Sequence, residues 1–236
     1  MIELAGLDKC FTFINNQIKP SETSWYVKEQ RHAVTISRAA GSGGHAVASL
    51  LAEELQARSH AETPWTVFDK NLVAKVLDDH NLPTLLAKFI PENRVSALED
   101  ILQELLGTEP SSWRIVPQVS ETILQLAELG NVVIVGRGGN IITAKLDHVF
   151  HVRLVGSLER RVERIMEHEH LGRKAALAFV QSEDRGRQRY LRKHFHADID
   201  DPQLYHLIIN TDRFPEAEVV RMVADAVLPA PVKSRR

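Results

Sequence analysis

With 236 residues, 44% of them hydrophobic, the chain is long enough for one large α/β domain with room for a small inserted unit. Its formal net charge of −2 offers no global attraction to nucleic acid or to an anionic membrane surface, so any anion site has to be local. A single cysteine, Cys10, excludes an intrachain disulfide and a cysteine-rich metal site, and no apolar run approaches the roughly 20 residues a membrane-crossing helix needs. The first residues, with Glu3 and Asp8 around a short apolar stretch, lack the basic opening of a secretory signal, and the expected location is the cytoplasm.

In chain order, residues 1–30 read as an N-terminal extension, 31–228 as one domain and 229–236 as a loose tail. Strand-like runs fall at Ala33–Arg38, Trp65–Asp69, Asn131–Arg137, Val149–Val155 and Tyr205–Asp212, each nearly continuous in apolar residues, as strands buried on both faces are. Helical spacing fills the gaps: Val47, Leu50, Leu51 and Leu55 recur at i, i+3, i+4 and i+8, and Ile123, Leu126 and Ala127 follow the same rule ahead of a stop at Gly130. Strands alternating with helices predict a doubly wound α/β fold around a parallel sheet. The interval 70–130 breaks the rhythm. It carries only helical patterns, punctuated by Pro83, Pro91 and Pro110, and predicts a helical insertion near the carboxyl edge of the sheet.

The first strand empties into Gly41, Ser42, Gly43, Gly44 and His45 and then directly into a helical pattern. Glycines let the backbone turn tightly and approach an anion, while the first free N–H groups of the helix and its dipole attract negative charge. These five residues are the candidate phosphate cradle. The standard nucleotide loop ends in Gly-Lys-Ser/Thr; the candidate positions here read Gly44, His45 and Ala46, and aligning the loop through Gly41-Ser-Gly43 puts Gly44 at the lysine position. His45 is mostly neutral near pH 7, so Arg38, immediately before the loop, is the better candidate for the missing cation, its alternative being a surface ion pair at a strand end. The same glycines also satisfy the dinucleotide pattern G-x-G-x-x-A, with Asp69 as the acid for a ribose, although the spacing exceeds the usual separation of about 20 residues.

Arginines supply the second pattern. Arg185, Arg189 and Arg192 share one helical face, partly neutralised by Glu183 and Asp184. Arg137, flanked by Gly136 and Gly138, falls at the carboxyl end of the third strand, the edge at which open α/β sheets bind ligands. Arg161 and Arg164, among Glu159 and Glu163, read as an ordinary salt-bridged surface. Asp69 directly precedes a helical pattern at Lys70–Leu77, so helix capping competes with any ligand role.

The segments Thr35–His45, Phe68–Lys70, Ile134–Gly138 and Glu183–Tyr190 together resemble the cytidylate kinase-like family, over roughly residues 32–227. The resemblance implies a P-loop kinase-type three-layer fold with a five-stranded parallel sheet, a helical acceptor-binding insertion over 70–130 and an arginine-bearing lid over 181–202. It implies ATP as phosphoryl donor, Mg2+ as its ion and a pyrimidine nucleoside monophosphate, CMP or dCMP, as acceptor. Gly41–Gly44 would then cradle the donor phosphates, Asp69 and Arg137 would face the acceptor, and Arg185 with Arg189 would belong to the lid. Phosphoryl transfer asks little covalent help of a protein, so the expected mechanism has Arg137 holding the acceptor phosphate while Arg185 and Arg189 close over the transferring group. Asp69 would orient the acceptor or enter the magnesium shell. The sequence departs from the typical enzyme at Gly138, where an aspartate usually follows Gly-Arg. Two other readings stand beside the kinase: a nucleotide-binding regulatory module lacking efficient transfer, and an NAD(P)-dependent enzyme.

Overall fold

The computed structural model describes residues 32–59, 61, 63–69, 90, 92–106 and 115–229. The expectations for residues 1–30, for the Lys70–Leu77 pattern and for the tail beyond residue 229 lie outside these residues. Five strands form one all-parallel sheet: β1 (Ala33–Arg38), β2 (Thr66–Phe68), β3 (Val132–Val135), β4 (Val149–Val155) and β5 (Leu207–Asn210), in the order β2-β3-β1-β4-β5. The helices are α1 (Gly44–Ser59), α2 (Glu92–Leu106), α3 (Ile115–Leu129), α4 (Gly139–Ile142), α5 (Leu158–Glu169), α6 (Arg173–Phe195) and α7 (Glu216–Val227). None of the described helices is long and apolar enough to cross a membrane.

Alternation along the strands sorts the core into two layers. Val34 and Ile36 of β1, Val133 and Val135 of β3, and Val152 and Leu154 of β4 face α1 and α7, where Val47, Leu51, Leu55, Val219 and Val223 close the layer. Ala33, Val132, Ile134 and Val149 face the other way, against Ile123, Leu126 and Ala127 of α3 and Leu98 of α2. On that second face β1 and β4 turn polar toward their carboxyl ends, with Thr35 beside His151 and Ser37 beside Arg153. A third, smaller cluster of Ala40, Val162, Ala176 and Val180 packs the α5–α6 hairpin over the loop that follows β1.

The first and fourth strands span the residues their patterns predict, and the others are shorter. β3 stops at Val135 because Gly136 takes φ +84, and Pro202–Leu204 form a 3-10 turn before β5. Of the interval 70–130, α3 is a layer of the main core. Residues 181–195 continue α6, a helix of 23 residues beginning at Arg173.

Candidate active site

The loop between β1 and α1 is built by its glycines. Gly41 and Gly43 take φ +75 and +80, and a Cβ on Gly41 would run into the backbone carbonyl of Arg161. The Ser42 hydroxyl turns inward, donating to the Ala39 carbonyl at 2.8 Å and lying 3.4 Å from that of Leu154. It therefore shapes the loop from within. From outside, Arg161 Nη1 donates to the Ala40 carbonyl at 3.1 Å, and Arg164 Nη1 to that of Gly41 at 3.3 Å. Asp184 of α6 joins the clamp, accepting from the Ala40 N–H at 2.8 Å and pairing with Arg161 at 2.5 Å. Arg161 and Arg164 thus leave the surface pairing expected of them. Arg160 takes Glu163, and Arg173 takes Glu159. With its carbonyls held outward, the loop leaves the amides at the start of α1 for an anion.

Beside this loop, at the end of β3, Gly136, Arg137 and Gly138 take φ +84, +57 and +71 in succession. A left-handed conformation costs a non-glycine residue about 1–2 kcal/mol, and such strain gathers at functional sites. Arg137 Nε is buried without a hydrogen-bond partner, and the guanidinium lies against Tyr190, opposing the upward push that burial gives the phenol pKa. Gly138 carries no side chain because the Phe195 ring occupies the space, 2.7 Å from where a Cβ would stand. That accounts for the departure from aspartate at this position.

Arg38 crosses from one glycine segment to the other. Its stem packs along Gly44 and its guanidinium reaches Gly136. Burial, helped by the neighbouring charges of Arg187 and Arg137 and opposed by Glu183 and Asp69, pulls its pKa down to about 10, so it stays charged at neutral pH. Arg187 is likewise lowered, mainly by burial, despite pairing with Glu183 at 2.9 Å. Arg38, Arg137 and Arg187 line one cavity of about 320 Å³ at the carboxyl ends of β1 and β3, together with Ser37, Glu183 and Tyr190. Behind Ser37, the buried Arg153 donates to the Ser37 hydroxyl at 3.0 Å and to Asp200 at 2.8 Å, tying the chain after α6 to the sheet. A concave site where several guanidinium groups crowd and some lack partners is organised for an anion.

The structure brings Arg38 and Arg137 together on one cavity; Gly41–His45 lie outside its lining and are joined to it by the Arg38 stem against Gly44. His45 is exposed at the rim, with Nδ1 3.7 Å from an Asp69 oxygen at the end of β2. Arg185 and Arg189 are exposed on α6 and lie outside the cavity lining. Arg187, which the sequence reading passed over, occupies the inner face. Its signal was the phase of the helix: Val180, Asp184, Arg187 and Leu191 recur at i, i+4, i+7 and i+11, and the buried Val180 and Leu191 fix which side faces in. Strand order argues against the dinucleotide reading. That fold places the second strand next to the first, whereas here β3 and its Gly-Arg-Gly end stand between them. A larger cavity, about 400 Å³, opens at the other end of the sheet near Arg94, Lys145 and His148. Its cations are already engaged: Arg94 makes two bonds to Glu128, and Lys145 pairs with Glu104.

The family model for cytidylate kinase-like proteins matches residues 33–213. A cytidylate kinase from Methanocaldococcus jannaschii is 24% identical over 158 residues, covering 66% of this chain and 89% of that protein. Among solved structures, an uncharacterized protein from Eubacterium ventriosum superposes with a TM-score of 0.66 at 20% identity, over 84% of this chain and 98% of that one. A shikimate kinase from Bacteroides thetaiotaomicron matches with a TM-score of 0.43 at 14% identity, over 83% and 98% of the two chains.

Proposed function

The chain belongs to the cytidylate kinase-like family, and from that premise we propose that it transfers the γ-phosphoryl group of ATP to a nucleoside monophosphate, CMP or dCMP first among them. The observation that carries this reading is the convergence of Arg38, Arg137 and Arg187 on one cavity beside a glycine loop whose carbonyls are held away from it. Transfer requires an acceptor phosphate oxygen in line with the γ-phosphorus and cations around the equatorial oxygens. The acceptor oxygen bonds to phosphorus, the bond from phosphorus to the ADP oxygen breaks, and the products are ADP and a nucleoside diphosphate. No general base is needed, because a phosphate monoester with a second pKa of about 6 is largely dianionic at neutral pH.

In this reading the amides of Gly41, Gly43, Gly44 and His45 receive the donor phosphates, that of Ser42 being turned to the Ala39 carbonyl, and Arg137 holds the acceptor phosphate. Arg187 supplies the inward cation of α6, while Arg185 and Arg189 form an outer basic face that meets the incoming nucleotide. Gly186 also lines the cavity, and a Cβ there would meet nothing within 4 Å, so its absence of side chain leaves volume for a ligand. Magnesium fits as an ion carried in with the phosphates. A hard cation needs oxygen ligands and keeps several waters, and Asp69 offers a carboxylate at the rim of the loop. When bound, the ion neutralises phosphate charge.

One observation favours a second reading, a nucleotide-binding module without efficient transfer. The loop has no lysine, and its one hydroxyl, on Ser42, is turned inward. Following ADP formation from MgATP with a panel of nucleoside monophosphates separates the two. Turnover on CMP or dCMP that vanishes in Arg137→Ala supports the kinase, and tight ATP binding with no turnover on any acceptor supports the module.

A further inference from the structure

The standard loop lysine is missing, and the space its side chain would need is filled. A Cβ at Gly44, the lysine position, would stand 2.8 Å from Arg38 Cγ, 3.2 Å from its Cβ and 3.4 Å from its Cδ. These are the near, stiff atoms of the arginine stem, so the clash cannot be relieved by swinging a flexible tip. At its far end the same side chain meets a second glycine of a different motif. A Cβ at Gly136 would overlap Arg38 Nη1 and lie 3.2 Å from its Cζ. Two glycines, one from the phosphate loop and one from the Gly-Arg-Gly turn, therefore form a channel that this one arginine fills. The guanidinium at its end lines the cavity and makes no direct ion pair or side-chain hydrogen bond among the described residues, Glu183 and Asp69 acting on it only at longer range.

We infer that Arg38 is the donor-phosphate cation of this loop, and that Gly44 is its steric counterpart: the positive charge has moved from the start of α1 to the end of β1, and position 44 is glycine to let it pass. The inference rests on the kinase reading of the loop and says which residue does the work of the absent lysine. From β1 the cation reaches the Gly-Arg-Gly turn, between the loop and Arg137. That places it where a phosphoryl group would sit while passing from donor to acceptor. A lysine rooted on α1 would approach from the loop side alone.

Calorimetric titration of the full chain with AMP and with MgATP tests this. Wild type is expected to bind ATP more tightly than AMP. A charge-assisted contact is worth a factor of roughly 10 to 100, and Arg38→Gln, which keeps a stem in the channel and removes the charge, should lose that factor for ATP while changing AMP little. Gly44→Lys alone should also weaken ATP binding, because the new side chain displaces Arg38. The double variant Arg38→Ala with Gly44→Lys vacates the channel and returns a cation from the other side, and should regain at least half of the lost factor on a logarithmic scale. Melting curves for each variant separate lost binding from lost fold, and Arg38→Lys gives a charged control. If Arg38→Gln keeps the ATP preference, or if Gly44→Lys alone binds like wild type, the inference is overturned while the kinase reading stands. If wild type binds ATP no better than AMP, the donor-site reading itself fails.

Discussion

The cavities at the two ends of the sheet are both lined by basic residues and use them in different ways. At the amino end, Arg94 lies 2.7 and 2.9 Å from the two oxygens of Glu128, Lys145 pairs with Glu104, and His148 Nε2 is 3.0 Å from the Ala127 carbonyl. At the carboxyl end, Arg38 makes no direct ion pair or side-chain hydrogen bond among the described residues, Arg137 has a buried orphan Nε, and Arg187 is paired yet still depressed by burial. A count of basic residues does not distinguish these cavities, and the larger is the one without unmet charge. What marks the proposed site is cations whose desolvation nearby carboxylates offset only in part.

The largest effect should come from removing one unmet cation and sparing a satisfied one. Arg137→Ala is expected to lower turnover by about two to three orders of magnitude, the usual cost of deleting a donor aimed at developing charge. Arg94→Ala removes a half-exposed ion pair and should leave turnover unchanged, lowering stability by no more than about 1 kcal/mol. Steady-state kinetics with denaturant melts checks both, and equal kinetic losses would remove the distinction between the two ends.

Next in size is the comparison within α6. Arg187→Ala should cost about 100-fold in turnover, and Arg185→Ala and Arg189→Ala, on the exposed side, distinctly less. The reverse order would mean that transfer uses a placement of α6 other than the one seen.

That comparison also shows how far the sequence could be read. The strand–helix alternation, the glycine loop and the strand-end Arg137 were legible because each is a local pattern: β-branched runs, positive-φ glycines, one cation between two glycines. The facing side of α6 was not, because charged residues occur on every side and only the sparse apolar positions Ala176, Val180 and Leu191 fix the phase. Arg161 and Arg164 were misjudged for a different reason. Each has among its acceptors a loop carbonyl more than 120 residues away, which no side-chain pattern announces. Arg38 could be read from the sequence as a candidate cation, but its steric fit with Gly44 appears only in the contacts a Cβ there would make.

Midway along the sheet lies a third arrangement, a polar pair that closes on itself. His151 Nδ1 is 2.8 Å from the Thr35 hydroxyl, its ring stacks on His206 at 4.7 Å, and its backbone N–H donates to His206 Nδ1 at 2.8 Å. Burial, with His206 adding to it, pushes the His151 pKa down from 6.5 to about 4. Between those values the unfolded chain binds the proton and the folded chain does not. The stability this group contributes is therefore complete above its unfolded pKa and lost as pH falls, by about 2 kcal/mol between pH 7 and pH 5. His151→Gln should flatten that slope in urea melts, and an unchanged slope would place the acid sensitivity elsewhere.

The smallest effect tests whether the carboxyl end gives up stability for space. Gly186 sits inside α6, where glycine costs about 0.5–1 kcal/mol relative to alanine. Packing does not demand it, since a Cβ there would meet nothing within 4 Å. Gly186→Ala should raise stability by about that amount, and because position 186 lines the cavity the added methyl should also raise KM for the acceptor. A variant that is more stable and binds its acceptor equally well would show that the volume beside Gly186 is not used. Gains in stability coupled to loss of binding would mean that this end of the molecule, unlike the saturated amino end, is shaped by what it holds.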